Sequence, residues 1–280
     1  MIKSILVALD GSAHSLAASR YAVWFAERMQ ATVHGLHVID VVSIEGSGSF
    51  LHDVSGSLGF EPYLDFSSKM REVLHERGRI LLDGFLAQCN KHGVRADVHL
   101  GSGIVANEIC EHARTSDLVV VGHRGVNERF STGMLGGTTE SVTRKCPKPV
   151  LVVPTDFAPI SHPLLAYDGS ERASAAMHQA AEITSALKLP LTVLHVGKDD
   201  SAATRTLDEA RRYLDSYDVS VECIARSGHA NEAIVEVMTS ADHDLLIIGA
   251  YGHGRIIEMV LGSTTEYVLR NTSAPVFLCR

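Results

Sequence analysis

The stretch "LVALDGSAHSLAASRYA", residues 6–22, decides the fold because it occurs a second time, as "LLAYDGSERASAAMHQA" at residues 164–180. Another segment, "DLVVVGHRG" at residues 117–125, returns as "DLLIIGAYG" at residues 244–252. Near the end of each copy, "LGGTTESVTRKCPKPVLVV" corresponds to "LGSTTEYVLRNTSAPVFLC". Self-similarity in a constant order indicates a duplicated structural unit. The sequence therefore predicts two related domains in tandem.

We place these domains at residues 1–156 and 157–280 and call them the first half and the second half. In each half, short apolar runs alternate with amphipathic helical stretches. This alternation is typical of a doubly wound α/β domain, whose parallel sheet is covered on both faces and has right-handed crossovers. In the first half the predicted strands are Ile5–Leu9, Thr32–Ile39, Arg95–His99, Leu118–Val121 and Val150–Val153.

The first half is longer because of an insertion after its second strand. Between Val41 and Lys69, Gly and Ser alternate with single large apolar residues. We expect a long loop there. It is either a mobile surface excursion or a functional flap or partner-contact arm.

Composition narrows the class of protein. Hydrophobic residues make up 45% and charged residues 21%, as in ordinary globular proteins. The net charge of −8 has no run of Lys or Arg to offset it, which argues against nucleic acid or an anionic membrane as partner. The 5 cysteines show no CxxC spacing, and no apolar run reaches membrane length, so we expect a cytoplasmic protein.

The chain has 15 histidines, but their spacing does not predict a metal site. His34 and His37 lie an odd number of positions apart on one strand, so they point to opposite faces of the sheet. His37 and His195 are equivalent in the two halves, and we predict that they lie in the core or at the edge of a pocket.

A ligand site is predicted where the strand order reverses, beyond the carboxyl ends of the strands. Asp10 follows the first strand and Gly122 follows the fourth, although more than a hundred residues separate them. They meet only if strands one and four are neighbours, as in the order 3-2-1-4-5. Asp168 and Gly249 repeat this arrangement in the second half.

Glycines at fixed spacings, which we call the glycine frame, support the prediction of that site. Gly249, Gly252 and Gly262 stand between a strand and a helix, and Ser263 follows directly. Glycine admits positive φ and lets another group approach the backbone, and the amides at a helix start attract anions. The predicted helix cap is Ser263, Thr264 or Thr265. The chain contains neither GxxxxGK[ST] nor GxGxxG, so the frame is neither a P-loop nor a Rossmann fingerprint.

The frame G-x2-G-x9-G-[ST], with "DGS" after strand one and "LHV" in strand two, resembles the universal stress protein family, and the chain is similar to a tandem member. The resemblance implies binding of ATP, ADP or AMP, with Mg²⁺, by a stress-response protein. In the second half the implied site comprises Ala166, Tyr167, Asp168, Val196, Ile248, Gly249, Tyr251, Gly252, Gly262, Ser263, Thr264 and Thr265. In the first half it comprises Asp10, Val38, Gly122, Arg124, Gly125, Gly136, Gly137 and Thr138.

The first half departs from the family pattern. Ten residues instead of nine separate Gly125 from Gly136, and Gly137 stands where the hydroxyl residue belongs. We therefore predict that the second half binds nucleotide more tightly than the first.

The resemblance also implies that the last strands, within Pro149–Pro154 and Pro275–Arg280, pair with each other and make the chain an internal dimer. A homodimer and an unidentified protein partner are further expectations.

Other interpretations stay open. The Asp-Gly-Ser segments also suit a turn that begins a helix, with no ligand contact. The chain could be a scaffold that works through its self-association surfaces, independently of nucleotide. It could also hydrolyse ATP slowly, assisted by pocket-loop residues, which are His123, Arg124, His253 and Arg255.

Overall fold

The structure is a computed structural model that describes residues 1–40, 64–126, 135–250 and 261–280. The strands are β1 (Ser4–Ala8), β2 (Thr32–Asp40), β3 (Ala96–Gly103), β4 (Leu118–Gly122), β5 (Val150–Val153), β6 (Pro163–Ala166), β7 (Leu191–Val196), β8 (Val221–Arg226), β9 (Leu245–Gly249) and β10 (Val276–Cys279). The α-helices of the described ranges are α1 (Ala13–Met29), α2 (Leu64–Lys91), α3 (Val105–His112), α4 (Gly137–Lys145), α5 (Glu171–Leu187), α6 (Asp200–Leu214), α7 (Ala230–Ser240) and α8 (Ser263–Asn271).

All ten strands belong to one sheet, in the order β3-β2-β1-β4-β5-β10-β9-β6-β7-β8. Within each half every pairing is parallel, and the order from the outer edge is 3-2-1-4-5. The predicted fold class and strand order are confirmed. The boundary between residues 156 and 157 stays a prediction.

The halves join through their last strands. β5 and β10 run antiparallel, with Val152 opposite Val276 and Val150 opposite Leu278. All the residues of both strands are buried. The predicted pairing is therefore confirmed, and neither strand is an exposed edge, because each covers the backbone groups of the other.

Helices cover the sheet on both sides. One apolar cluster contains side chains of α1, α2, α5 and α6, and the other contains side chains of α3, α4, α7 and α8. Each cluster extends through both halves, so the core is continuous across the β5–β10 junction. This packing leaves the strand ends, and not the faces of the sheet, for a ligand.

Two sequence predictions need correction. The third strand extends to Gly103, beyond the predicted His99, because all of its residues pair with β2 despite the glycines. The insertion was predicted as a loop to Lys69, but α2 begins at Leu64. Residues 41–63 lie outside the described residues. None of the helices within the described ranges is long and apolar enough to cross a membrane.

Candidate functional site

The Asp-Gly-Ser segment forms the same turn in both halves. One carboxylate oxygen of Asp10 accepts a hydrogen bond from the amide of Ser12 at 2.9 Å, and Asp168 does the same with Ser170. The glycine between them has φ of +80° or +81°, a left-handed conformation that glycine adopts without strain. Each serine then caps a helix by accepting from the amide three residues on, at 3.1 and 3.2 Å. The turn therefore fixes where each aspartate lies beyond its strand.

In the first half, the second carboxylate oxygen of Asp10 contacts the glycine loop after β4. It accepts a hydrogen bond from the amide of Val126 at 3.0 Å. A Cβ atom on Gly125 would lie only 2.6 Å from the same oxygen. Gly125 thus lets the backbone approach the carboxylate. The two segments meet here because β1 and β4 are neighbours, as the sequence predicted.

The first glycine of each frame lies against a helix start. A Cβ atom on Gly122 would lie 2.5 Å from Cβ of His14, and one on Gly249 would lie 2.7 Å from the carbonyl carbon of Arg172. Both distances are shorter than the contacts that Cβ atoms make in proteins. At these two positions glycine is required by the packing of α1 on β4 and of α5 on β9, whether or not a ligand binds.

The helices α4 and α8 begin in the same way. Their N-caps are Gly136 and Gly262, with φ of −61° in both, and neither supplies a side-chain cap. The predicted cap at Ser263, Thr264 or Thr265 is therefore wrong, because these hydroxyl residues lie inside the first turn. A glycine cap itself supplies no side-chain acceptor for the first amides of the helix, which suits an incoming anion.

The start of α4 is bound to the end of β4. The amide of Gly136 donates to the carbonyl of His123 at 3.1 Å, and the hydroxyl of Thr139 donates to the carbonyl of Gly122 at 2.7 Å. A Cβ atom on Gly136 would lie 3.1 Å from Cα of Arg124. Asp10, the glycine loop and the helix start thus form one continuous surface at the carboxyl ends of β1 and β4.

The two halves differ at the first helical position. Gly137 is exposed, and a Cβ atom there would meet nothing within 4 Å in the described structure. Ser263 occupies the equivalent position and is exposed as well. Thr138 is exposed and Thr264 is half-buried. A serine would therefore fit the first half without a clash, and what that half lacks is the hydroxyl group.

The described second-half residues that were predicted for the site also lie at the carboxyl ends of neighbouring strands. Ala166 pairs with Ile248, which places the ends of β6 and β9 side by side. Val196 ends β7, the other neighbour of β6, as Val38 lies near the end of β2. Asp168 is exposed there and Tyr167 is buried. Tyr251 and Gly252, as well as His253 and Arg255, lie outside the described residues.

Sequence inspection did not identify His14 and Arg172, which are equivalent residues four positions after each aspartate. Arg172 Nη1 donates to the carbonyl of Ala250 at 3.3 Å, beside the end of β9. The ring of His14 stacks with that of His123, with centroids 6.4 Å apart. Their place in the first helical turn after the "DGS" segment is a sequence feature from which both residues could have been identified.

Of the repeat-related histidines, His195 is buried as predicted, and His37 is half-buried. His37 Nδ1 donates to the carbonyl of Leu9 at 2.6 Å, and His195 Nδ1 donates to that of Tyr167 at 3.1 Å. Each ring therefore holds the end of the first strand of its half. The described residues contain no group of three or more His, Cys, Asp or Glu side chains that could hold a metal ion.

A hydrogen bond joins the first-half loop to the second half. His123 Nε2 donates to the carbonyl of Leu269, near the end of α8, at 2.6 Å. Beside it lies a cavity of about 230 Å³ at the junction, to which residues of both halves contribute: His14, His123, Arg124, Leu269, Arg270 and Thr272. The loop after β4 is thus in contact with the helix that begins at the glycine frame of the other half.

The family model described as "Universal stress protein family" matches residues 1–154 and 197–280, which is most of the chain. This chain belongs to the universal stress protein family. A universal stress protein of Synechocystis sp. is 31% identical over 289 residues, with 100% of both chains covered. One from Methanocaldococcus jannaschii is 30% identical over 160 residues, which covers 55% of this chain and 82% of that protein. The chain is therefore a tandem universal stress protein.

Solved structures support the fold. The crystal structure of a universal stress protein from Archaeoglobus fulgidus superposes with a TM-score of 0.74, at 24% identity, and covers 99% of this chain and 98% of that one. At this level of identity the likeness concerns the fold alone. It extends over both halves, in agreement with the ten-stranded sheet.

Proposed function

We propose that this universal stress protein binds an adenine nucleotide, ATP, ADP or AMP, in its second half and acts as a nucleotide-dependent regulatory module. The observation that carries the proposal is the start of α8, where Gly262 caps the helix without a side chain and Ser263 is exposed. The first amides of the helix, the helix dipole and a hydroxyl donor together favour a phosphate group. Family membership is consistent with this interpretation.

Asp168 is the proposed partner of the nucleoside. It is exposed just past β6, and its turn with Ser170 holds it at that position. A carboxylate accepts hydrogen bonds from ribose hydroxyls or from the adenine amino group. Val196, half-buried at the end of β7, supplies apolar surface on the side of Asp168 away from β9.

The phosphates are assigned to the other side of the site. Gly249 ends β9, and the glycine frame leads from there to Gly262 and Ser263. Arg172 lies at the same strand end through its bond to the carbonyl of Ala250, and it adds positive charge to the anion side. Mg²⁺, when bound, would be held through the phosphate oxygens and would neutralise part of their charge.

The experiment is titration calorimetry of the full chain with ATP, ADP, AMP and GTP in the presence of Mg²⁺. We expect heat and thermal stabilisation with the adenine nucleotides, and a ligand at a hundredfold excess over its Kd should stabilise by about 2.7 kcal/mol. Gly262→Val should remove most of the binding because it crowds the phosphate position. Gly84→Val is the matched control, since Gly84 lies in α2 and a Cβ atom there would meet nothing within 4 Å outside the local helix backbone.

Absence of heat and of any thermal shift with all four nucleotides at millimolar concentration would contradict the proposal. The scaffold interpretation would then gain support. If Gly262→Val and Gly84→Val lost nucleotide binding equally, the effect of Gly262→Val would not be local to the start of α8.

A further inference from the structure

The cavity at the junction lies apart from the proposed nucleotide site of the second half. Its volume is about 230 Å³, and on the second-half side it is bounded by Leu269 and Arg270, near the end of α8. Ala274, which precedes β10, continues that wall. The glycine cap of α8, Gly262, is at the other end of the helix. On the first-half side the cavity is bounded by the end of β5 and by the loop after β4, so both halves enclose it.

The polar lining of the cavity is basic. The basic side chains that line it are His14, His123, Arg124 and Arg270. Among the described residues that line it there is no Asp or Glu. Glu266 lies one turn before Arg270 and forms an ion pair with its Nη2 at 2.5 Å, so it offsets part of the charge of that arginine. The lining residues themselves carry net positive charge, because arginine stays protonated in proteins.

The apolar part of the lining strengthens the attraction for an anion. Val152, Val153 and Val276, from β5 and β10, line the cavity and are each at most 2% exposed. An anion beside such a wall interacts more strongly with a guanidinium group than it would in water. The volume corresponds to about eight water molecules and is below the roughly 300–1,000 Å³ of pockets for drug-sized ligands. Because arginine presents several N–H donors, the cavity suits a small ligand with several acceptor oxygens.

The equivalent place in the other copy of the repeat is arranged differently. Pro154, which lines the cavity, corresponds to Arg280, and Arg270 corresponds to Arg144. Arg280 Nη2 donates to the carbonyl of Arg144 at 2.9 Å, so the chain supplies its own cation there. Pro154 is shorter and carries no donor. The space between Pro154 and Arg270 therefore results from a residue that differs between the copies and not from the fold that they share.

We propose that the junction cavity binds a small oxyanion, either phosphate or a short dicarboxylate, between Arg124 and Arg270. A guanidinium group can donate two parallel hydrogen bonds to such an anion. Arg124 belongs to the loop after β4 and Arg270 to α8, so the bound anion would join the two halves. The hydrogen bond from His123 to the carbonyl of Leu269 already holds these two segments together. The site does not depend on whether the glycine frames bind nucleotide.

The test is titration calorimetry of the full chain with sodium phosphate and, separately, with sodium succinate, both at constant ionic strength. We expect a site for one anion per chain, and a rise in the midpoint of thermal unfolding when that site is filled. Binding of phosphate alone would identify a phosphoryl ligand, and binding of succinate alone a carboxylate ligand. Absence of heat and of a thermal shift with both anions at millimolar concentration would overturn the proposal.

Variants locate the bound anion. Arg270→Gln should weaken its binding at least about tenfold, because a charged donor is lost. Arg144→Gln is the matched control, since Arg144 is paired with Glu140 as Arg270 is with Glu266, but does not line the cavity. Ala274→Leu should remove binding by filling the cavity, and thermal unfolding without anion verifies that each variant is folded. Binding that Arg270→Gln and Ala274→Leu both leave unchanged, or that Arg144→Gln weakens as much as Arg270→Gln, would overturn the proposal.

Discussion

The two halves share a scaffold and differ in what that scaffold offers to a ligand. Both have the Asp-Gly-Ser turn, the glycine packed against a helix start and the glycine N-cap. In the first half, however, Asp10 is half-buried, and Gly137 carries no hydroxyl. In the second half Asp168 and Ser263 are both exposed. The shared features are those that the fold needs, and the differences fall on groups of the proposed nucleotide site.

The largest expected effect is a loss of stability at the β5–β10 junction, which joins the two halves. Leu278 is 2% exposed between β5 and β9, whereas Leu16 on α1 is 52% exposed. Leu278→Lys should lower the free energy of unfolding by at least about 3 kcal/mol, because the ammonium group has no partner in the core. Leu16→Lys should change it by less than about 0.5 kcal/mol. Chemical denaturation measures both, and similar values would refute the continuous core.

An exchange of side chains tests the difference between the sites directly. Ser263→Gly should weaken nucleotide binding by about tenfold to a hundredfold, because a hydrogen bond to a charged group contributes about 1.5–3 kcal/mol. Gly137→Ser should strengthen binding to the first half, since its Cβ has open space. Calorimetry of each variant gives the affinities and the stoichiometry. If neither exchange altered them, the hydroxyl would not explain the inequality of the halves.

A smaller effect tests the feature that the halves share. Gly122→Ala and Gly249→Ala should each destabilise the chain by about 1–3 kcal/mol, because the added methyl group meets the start of α1 or α5. Gly137→Ala should have little effect, as nothing lies within 4 Å of its Cβ position. Thermal unfolding without ligand is the measurement. Loss of nucleotide binding with unchanged stability would mean that these glycines serve the ligand rather than the packing.

Much of this architecture could be predicted from the chain. The duplication and the alternation of strands and helices predicted two doubly wound domains, and the requirement that Asp10 and Gly122 meet predicted the order 3-2-1-4-5, which is confirmed in both halves. The helix cap could not be predicted, because "LGGTT" and "LGSTT" offer several residues of good capping type and only the backbone conformation selects Gly136 and Gly262. The start of α2 was placed too late, since Gly and Ser in the insertion masked the beginning of the helix at Leu64.

The sequence by itself determined the repeated units, because turn chemistry and hydrophobic periodicity are local properties that recur wherever the same residues recur. Only the tertiary structure decided which long-range contacts the repeated residues make. Asp10 and Val126 are 116 positions apart, and whether their hydrogen bond forms depends on how closely the loop after β4 approaches β1. Likewise, the hydrogen bond from His123 to the carbonyl of Leu269 exists because the loop after β4 lies against α8. Such contacts join distant segments, so their geometry follows from the packing of whole elements and not from any short stretch of sequence.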